Sequence, residues 1–298
     1  MRFVEPNVEW WPQKTTAQQI AKVGRICYKA EGRQPSADMT DEEKEKFIED
    51  RDEKRASDFW ESGHKSMMRH GSVYYYIPNE NSMPLWLWSA MTASPYINYN
   101  VQKKSVWIST NMQYVLEHPK IAKLLQPYIV PETKFIVTAM QKKFVPALML
   151  LRMTMVVTTQ ISTTRELNRT SPNSIAEQST RYVNMEKKGG VQVCEPHWRK
   201  DGTRWQRALY WFGCKVSEWM YRLLLKSGLK PEDARGVLPL DAYSVAAYTY
   251  DLYEWKNIMA LRYHGKTGRP HPNAHIVAEK IADIINERMK VYVKDFEI

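Results

Sequence analysis

The chain has few cysteines and no long apolar run. Cys27, Cys194 and Cys214 are the three cysteines among 298 residues, and none of them stands in a C-x-x-C pair. This pattern argues against a zinc site or a disulfide framework and favours a reducing, cytoplasmic setting. The opening MRFVEPNVEWWPQK lacks the apolar core of a signal peptide. The most apolar stretch, FVPALMLL, is far shorter than the roughly 18 residues of a membrane span. We therefore expect a protein that is not bound to a membrane, and we expect no metal.

Acidic residues are in deficit. The 43 Lys and Arg against 33 Asp and Glu give a net charge of +10 and a pI of about 9.3. Such a charge suits an anionic partner, which could be nucleic acid, a nucleotide or folate, and does not choose among them. Aromatic residues near Lys103 and Lys104 could stack bases. Because similar mixtures are common on ordinary surfaces, nucleic acid is not the favoured partner.

The apolar pattern predicts long helices and few strands. A stripe of apolar residues in the segment 203–226 predicts a helix that packs its apolar side into the core; the stripe is Trp205, Leu209, Phe212, Val216 and Met220. Asp241 is a good N-cap for a helix that runs to about Arg262. The other predicted helices are 15–29, 41–55, 133–150 and a closing helix from Asn273, and the predicted strands are 72–77 and 152–159. We expect an α/β (α+β) fold with a single domain over residues 1–298.

The segment from Glu166 to Tyr182, ELNRTSPNSIAEQSTRY, concentrates polar chemistry. A helix that carries Arg169 should end near Ser171, because Pro172 follows. In extended geometry, Glu177, Ser179 and Arg181 would then point to one side. Guanidinium groups and a hydroxyl beside a carboxylate suit a ligand with a phosphate. A solvated loop with incidental charges is the alternative interpretation.

The same segment resembles the signature of the flavin-dependent thymidylate synthases, R-H-R-x-x-S-x-N-E-x-S-x-R-Y. Without a gap, the matching residues are Arg169, Ser174, Glu177, Ser179, Arg181 and Tyr182. Thr170, Ser171 and Ala176 stand where the family has His, Arg and Asn. In the family the missing His and Arg help to hold the flavin, whereas the retained residues mostly serve the nucleotide.

Two further blocks resemble the same family. His64, Ser66 and His70 match its G-H-x-S/T-x-x-E-H block, in which Arg69 replaces the acidic residue. In the second block, the family's A-R and L-R pairs fall at Ala234-Arg235 and Leu261-Arg262. There Asn257 and His271 match flavin-site positions, whereas Asp251-Leu252-Tyr253 replaces the family's N-A-R. Residues 79–150 have no counterpart and are interpreted as an insertion.

The resemblance implies an enzyme that methylates deoxyuridine monophosphate at C5. Methylenetetrahydrofolate would supply the carbon, NADPH-reduced FAD would supply the hydride, and the chain would assemble as a homotetramer. Four residues would hold the nucleotide phosphate or order its cations, and they are Arg169, Glu177, Ser179 and Arg181. Arg235 and Arg262 would bind the pyrimidine ring, and Arg262 would have a catalytic, polarising role. The implied cofactor-binding residues are His64, Ser66, Asn257 and His271.

Because the changed positions are mostly flavin positions, two alternatives stay open. The first is C5 modification of a different pyrimidine nucleotide on the same fold, or with a different mode of cofactor use. The second is a nucleotide-binding paralogue without enzymatic activity that has lost the flavin.

Overall fold

A computed structural model describes residues 1–79, 83–171 and 173–298. The α-helices are α1 (Thr16–Tyr28), α2 (Asp41–Glu61), α3 (Leu85–Thr92), α4 (Met112–Glu117), α5 (Pro119–Leu125), α6 (Glu132–Gln141), α7 (Val145–Leu148), α8 (Ile161–Asn168), α9 (Arg204–Lys226), α10 (Pro231–Ala234), α11 (Leu252–Arg262) and α12 (Pro272–Lys290). The strands are β1 (Arg2–Val4), β2 (Asn7–Trp11), β3 (Ser72–Ile77), β4 (Ile97–Gln102), β5 (Ser105–Asn111), β6 (Ile129–Val130), β7 (Arg152–Gln160), β8 (Ile175–Glu177), β9 (Gln192–Cys194) and β10 (Tyr243–Asp251).

The central sheet has the strand order β2-β7-β10-β8, and all its neighbouring strands are antiparallel. β7 and β10 pair along their full lengths, from Arg152 opposite Asp251 to Gln160 opposite Tyr243. β8 lies at one edge, where Glu177 stands opposite Ala246. The chain therefore leaves the edge of the sheet directly after Glu177.

Residues of the predicted insertion contribute most of a second antiparallel sheet, with the order β4-β5-β3-β6. This sheet has its own apolar cluster around Tyr75, Ile108 and Tyr114. Its other side joins the main core, where Trp107 is fully buried against Phe135 and Tyr76. The aromatic residues of this stretch thus mainly pack, as their composition indicates.

The main core lies between the central sheet and the helices α11 and α12. Trp255 of α11 is buried and donates a hydrogen bond to the carbonyl of Met153, at 3.1 Å. Ile281 and Ile285 of α12 belong to the same cluster of buried residues. The closing helix predicted from Asn273 is therefore confirmed, and its apolar face holds it against the sheet.

Most other predicted elements are also present. The predicted helix 15–29 is α1, with Thr15 as its N-cap. The predicted charged helix 41–55 is α2, which begins with a capping box of Thr40 and Glu43. The predicted strands correspond to β3 and β7. The predicted helix 133–150 is divided into α6 and α7, because the chain turns at Lys143, which has a φ of 50°.

The helix predicted to begin at Asp241 is wrong in its first half. Residues Tyr243–Asp251 form β10, whose aromatic and β-branched side chains are mostly buried between β7 and β8. The helix starts only at Leu252, and its N-cap is Asp251, which accepts from the backbone N–H of Glu254 at 2.9 Å. Tertiary pairing has overridden the local capping signal of Asp241.

The prediction that the apolar stripe of the helix 203–226 packs into the core is also wrong. The helix itself is confirmed as α9, and its N-cap is Thr203. Its apolar stripe is exposed, however, whereas Cys214, Glu218 and Tyr221 on the opposite side are buried. The periodicity identified an apolar face correctly, but within one chain this face is not covered.

Three kinds of feature are absent from the described part of the chain. No described helix is long and apolar enough to cross a membrane. Among residues 1–79, 83–171 and 173–298, no group of three or more His, Cys, Asp or Glu side chains could hold a metal ion. The three cysteines are free thiols, and Cys27 is the one that is partly exposed.

Candidate nucleotide site

A cleft of about 630 Å³ opens where the chain leaves the edge of the central sheet. One wall is the segment that follows β8, and the opposite wall is the turn that follows α10. The first turns of α8 close one end. The lining residues are Ile161, Arg165, Glu177, Gln178, Ser179, Thr180, Arg181, Arg235, Gly236, Leu238, Pro239 and Leu240. The cleft thus brings together four of the residues that the sequence predicted for the substrate, which are Glu177, Ser179, Arg181 and Arg235.

Ser179 shapes the first wall. The alternation predicted that the segment stays extended through Arg181. In the structure it is extended only to Glu177, because Ser179 begins a turn. Its hydroxyl oxygen accepts from the backbone N–H groups of Arg181 and Tyr182, at 3.2 and 3.4 Å. Its own N–H donates to the carbonyl of Cys27 in α1, at 2.9 Å. The turn is therefore attached to α1, and it still presents Ser179 and Arg181 to the same cleft.

Two guanidinium groups from opposite walls meet at Glu232. Arg181 contacts one carboxylate oxygen of Glu232 at 3.4 Å, and the two side chains are 54% and 34% exposed. Arg235 donates to the hydroxyl of Thr180 at 2.8 Å and to the carbonyl of Glu232 at 3.1 Å. An exposed ion pair at this distance contributes little stability. An anion that enters the cleft can therefore displace it at little cost.

Arg165 supplies a third guanidinium group, and the sequence interpretation missed it. It is exposed in α8 and lines the cleft. The signal was available in the spacing, because Arg165 lies one helical turn before Arg169, on the same face of the helix. The matched signature begins only at Arg169, so Arg165 received no role.

Glu177 has neutral partners. Its carboxylate accepts from the hydroxyl of Thr164 at 2.7 Å, from the amide of Asn168 at 3.1 Å and from the hydroxyl of Ser244 at 2.8 Å. These donors lie in α8 and β10. The contact partner of Arg181 is Glu232, whereas Glu177 holds α8 against the sheet and lines the floor of the cleft.

Arg169 and Arg262 lie outside the lining of the cleft. Arg169 is the C-cap of α8 and is exposed. Arg262 donates to the hydroxyl of Thr170 at 3.2 Å and to the carbonyl of Glu166 at 2.9 Å. Arg262 thus binds the last turn of α8, which ends at Asn168, close to the predicted end at Ser171. The predicted break at Pro172 lies outside the described residues.

The four predicted cofactor residues are exposed, and they lie on three different elements. His64 contacts the hydroxyl of Ser62 at 3.0 Å, and Ser66 follows it in a short 3-10 helix, Lys65–His70. Asn257 is exposed on α11. His271 is the N-cap of α12, where its ring accepts from the backbone N–H of Asn273 at 3.2 Å. These four residues do not line the cleft.

The residues that replace the family's flavin-site residues are bound within the chain. Besides capping α11, the Asp251 carboxylate accepts a short hydrogen bond from Asn98 of β4. The hydroxyl of Tyr253 accepts from Asn100 at 3.0 Å. Arg69 donates to Gln113 and to the carbonyl of Asn173, both at 2.7 Å. Within one chain, these side chains do not fit a flavin in the family's manner.

His70 has a structural environment. Its ring is fully buried, and Nδ1 lies 2.7 Å from the hydroxyl of Thr249, which in turn contacts Thr154 at 2.8 Å. Burial, with the nearby guanidinium of Arg152 as a second cause, lowers the pKa of His70 to about 3. His70 is therefore neutral at physiological pH and belongs to a polar network beneath the central sheet.

Comparison with protein families agrees with the signature. The family described as "Thymidylate synthase complementing protein" matches residues 97–289. Two solved structures of a UMP/dUMP methylase PolB from Streptomyces cacaoi, bound with 5-Br dUMP and with 5-Br UMP, are 25% and 24% identical to the chain. The match to the 5-Br dUMP complex covers 51% of this chain and 74% of that chain, with a TM-score of 0.42. The match to the 5-Br UMP complex covers 51% of this chain and 75% of that chain, with a TM-score of 0.41. A comparison with curated proteins finds no match.

The family match covers more than half of the chain and begins inside the stretch 79–150, which the signature blocks left unmatched. It includes the whole cleft. The chain therefore belongs to the flavin-dependent thymidylate synthase family, the thymidylate synthase complementing proteins, and is a methyltransferase-type enzyme.

Proposed function

We propose that the protein methylates C5 of a pyrimidine nucleoside monophosphate and binds the nucleotide in the cleft between Ser179, Arg181 and Arg235. The observation that carries the proposal is the set of three guanidinium groups, Arg165, Arg181 and Arg235, around one cleft in a member of this family. A phosphate prefers such groups because each can donate two parallel hydrogen bonds. A cleft of about 630 Å³ is large enough for a nucleotide.

The phosphate displaces Glu232 from Arg181. The exposed pair is long, at 3.4 Å, and a dianionic phosphate is a stronger acceptor than one shared carboxylate oxygen. Arg235 stays attached to Thr180 and turns its remaining N–H groups towards the ligand. By holding the phosphate, these cations orient the pyrimidine ring for reaction at C5.

Arg262 acts on this site indirectly. The sequence resemblance gives it the polarising role at the ring, but its contacts with Thr170 and Glu166 favour a positioning role. It fixes the end of the helix whose earlier turn carries Arg165. Arg169 lies at the same end of α8 and contacts the ligand only if the nucleotide extends along this helix.

The finer parts of the reaction come from the family. They are deoxyuridine monophosphate as the nucleotide, methylenetetrahydrofolate as the carbon donor, and FAD reduced by NADPH as the hydride source. His64, Ser66, Asn257 and His271 do not line the cleft, so the proposed mechanism covers only the nucleotide. Assembly as a homotetramer also belongs to the proposal.

The test is a methylation assay with the purified protein. The mixture contains the nucleotide, methylenetetrahydrofolate, NADPH and FAD, and the nucleotide product is analysed by mass spectrometry. Deoxyuridine monophosphate and uridine monophosphate are assayed separately, each with and without FAD. A C5-methylated product supports the proposal, and the FAD-free reaction shows whether the flavin is needed. If neither nucleotide is methylated although both bind, the protein is a nucleotide-binding paralogue and the proposal is wrong.

A further inference from the structure

The exposed face of α9 has the spacing of a coiled-coil surface. Six apolar residues follow one another at intervals of four, three, four, three and four positions. We call this set the heptad face; its members, with their exposed fractions, are Trp205 (69%), Leu209 (51%), Phe212 (61%), Val216 (40%), Trp219 (59%) and Leu223 (39%). Such a repeat keeps one side of a helix turned towards a partner helix over several turns. It is not the pattern of a solvated surface.

The rest of the chain fixes the direction of this face. On the opposite side of α9, Tyr210 donates to Asp241 at 2.7 Å. Ser217 donates a short hydrogen bond to the carbonyl of Val237. Tyr221 is buried in a small apolar cluster with Met185. Because these contacts hold the helix from behind, the heptad face cannot rotate into the core.

The size of the exposed face is that of one side of a protein interface. Large apolar side chains present about 150–250 Å² each, so the exposed fractions of the heptad face and of neighbouring Met220 amount to roughly 800 Å². Monomeric proteins rarely expose apolar patches above about 300–600 Å². A standard interface buries about 800 Å² on each partner. One more helix of the same kind would therefore cover the face.

If a second copy of α9 runs antiparallel to the first, the side chains of the two heptad faces are complementary in size. In that arrangement Trp205 meets Leu223, Leu209 meets Trp219, and Phe212 meets Val216, each with the residue of the other copy. Every layer then pairs a large side chain with a smaller one, which fills the space evenly. A parallel pair would place Trp on Trp and Val on Val. The antiparallel pair also sets the two helix dipoles in opposite directions, which is favourable.

Charges beside the face do not oppose this pairing. Lys215 is bound to Glu218 at 2.8 Å. Arg222 is bound to Glu186 at 2.7 Å and to Glu218 at 3.2 Å. Near the middle of the helix, Gly213 is exposed, and a Cβ built on it would meet no atom within 4 Å. The flank of the face thus leaves space beside Phe212 for side chains of a second copy.

We propose that α9 pairs antiparallel with α9 of a second copy of this chain through the heptad face. The two-fold axis passes between Phe212 and Val216, at the middle of the six positions. The apolar stripe that predicted a core helix is then buried after all, in the assembly rather than within one chain.

The first test measures the mass of the assembly by light scattering on a sizing column. The wild-type protein should have at least twice the 35.0 kDa of one chain. We expect Leu209→Glu and Phe212→Glu each to reduce this mass by half or more, because a charge would be buried in the interface. The matched control is Val137→Glu, since Val137 is 52% exposed on α6 and lies outside the face. A wild-type monomer, or variants that keep the full mass, would overturn the proposal.

The second test determines the direction of pairing and still applies if the Glu variants fold poorly. Trp205→Cys and Leu223→Cys are mixed, oxidised and mapped by mass spectrometry. We expect a 205–223 disulfide between copies and no 205–205 disulfide, because 18 residues of helix separate the two ends by about 27 Å and a disulfide needs Cα atoms within about 7 Å. Disulfides between identical positions would indicate a parallel pair and contradict the proposal. Absence of any cross-link, with retention of the variants on anionic lipid vesicles, would indicate a membrane-facing helix and contradict it as well.

Discussion

The cleft proposed to bind the nucleotide and the positions that correspond to the family's flavin site differ in how their polar side chains are engaged. In the cleft, Arg165, Arg181 and Arg235 are exposed and have weak or partial contacts. At the changed flavin positions, Asp251 and Arg69 are bound by several hydrogen bonds within the chain. The guanidinium groups of the first region are accessible to an external anion, whereas Asp251 of the second region joins the central sheet to the second sheet. The two regions can therefore be altered independently.

The largest effect on stability should come from substitution of Glu177, which lines the cleft although its carboxylate has a structural role. We expect Glu177→Ala to lower the free energy of unfolding by about 3 kcal/mol, because it leaves three donors without their acceptor. Glu177→Gln keeps one carbonyl oxygen and should cost about 1 kcal/mol. Urea unfolding followed by circular dichroism measures both. Equal stability of Glu177→Ala and wild type would show that the carboxylate is not structural.

A comparable loss of stability should follow when the pH is lowered, because His70 is buried in its neutral form. Its pKa is about 3 in the folded protein, and in the unfolded chain it is near the ordinary 6.5. Between these values the unfolded state binds the additional proton, so stability is fully present above pH 6.5 and declines as the pH falls. The decline approaches about 1.4 kcal/mol per pH unit. His70→Gln should remove this part of the slope in unfolding measurements between pH 7 and pH 5, and an unchanged slope would contradict the assignment.

Asp251 tests the flavin-side region. Asp251→Ala removes the N-cap of α11 and the partner of Asn98, and we expect a loss of about 2 kcal/mol. Asp251→Asn retains an N-cap oxygen and should cost less than about 1 kcal/mol. Neither change should alter nucleotide affinity. A loss of affinity in Asp251→Asn would mean that the two regions are coupled.

Arg262 should give the smallest effect on binding. Because it contacts Thr170 and Glu166 and lies outside the cleft, Arg262→Ala should change the free energy of nucleotide binding by less than about 1 kcal/mol. The unfolding free energy should fall by a similar amount. Titration calorimetry and thermal unfolding measure the two quantities separately. A loss of more than tenfold in affinity would instead support direct contact between Arg262 and the pyrimidine ring.

The sequence predicted the strongly periodic elements and much of the cleft. The spacing predicted that Glu177, Ser179 and Arg181 lie on one side of an extended segment. The chain instead turns at Ser179, and the three residues still line the same cleft. The error at 241–262 arose because β10 pairs with strands distant in sequence, which a local capping signal at Asp241 cannot reveal. Glu232 was missed for the same reason, since its contact with Arg181 joins segments that are distant in sequence. Arg165 was missed although its spacing to Arg169 was visible, because the matched signature begins only at Arg169. The apolar stripe of α9 was recognised but assigned to the core, because an apolar repeat alone does not tell whether the same chain or another copy covers it.

The most direct test of the proposed site is a calorimetric titration of deoxyuridine monophosphate into four proteins: wild type, Arg181→Ala, Arg235→Ala and Arg33→Ala. Arg33 is the matched control, because it is exposed, its guanidinium lies over the ring of Phe47, and it does not line the cleft. We predict that each cleft variant loses about 1.5–3 kcal/mol of binding free energy, as for lost hydrogen bonds to a charged group. Arg33→Ala should bind as wild type does. Equal affinity in all four proteins would show that the nucleotide phosphate does not bind in this cleft.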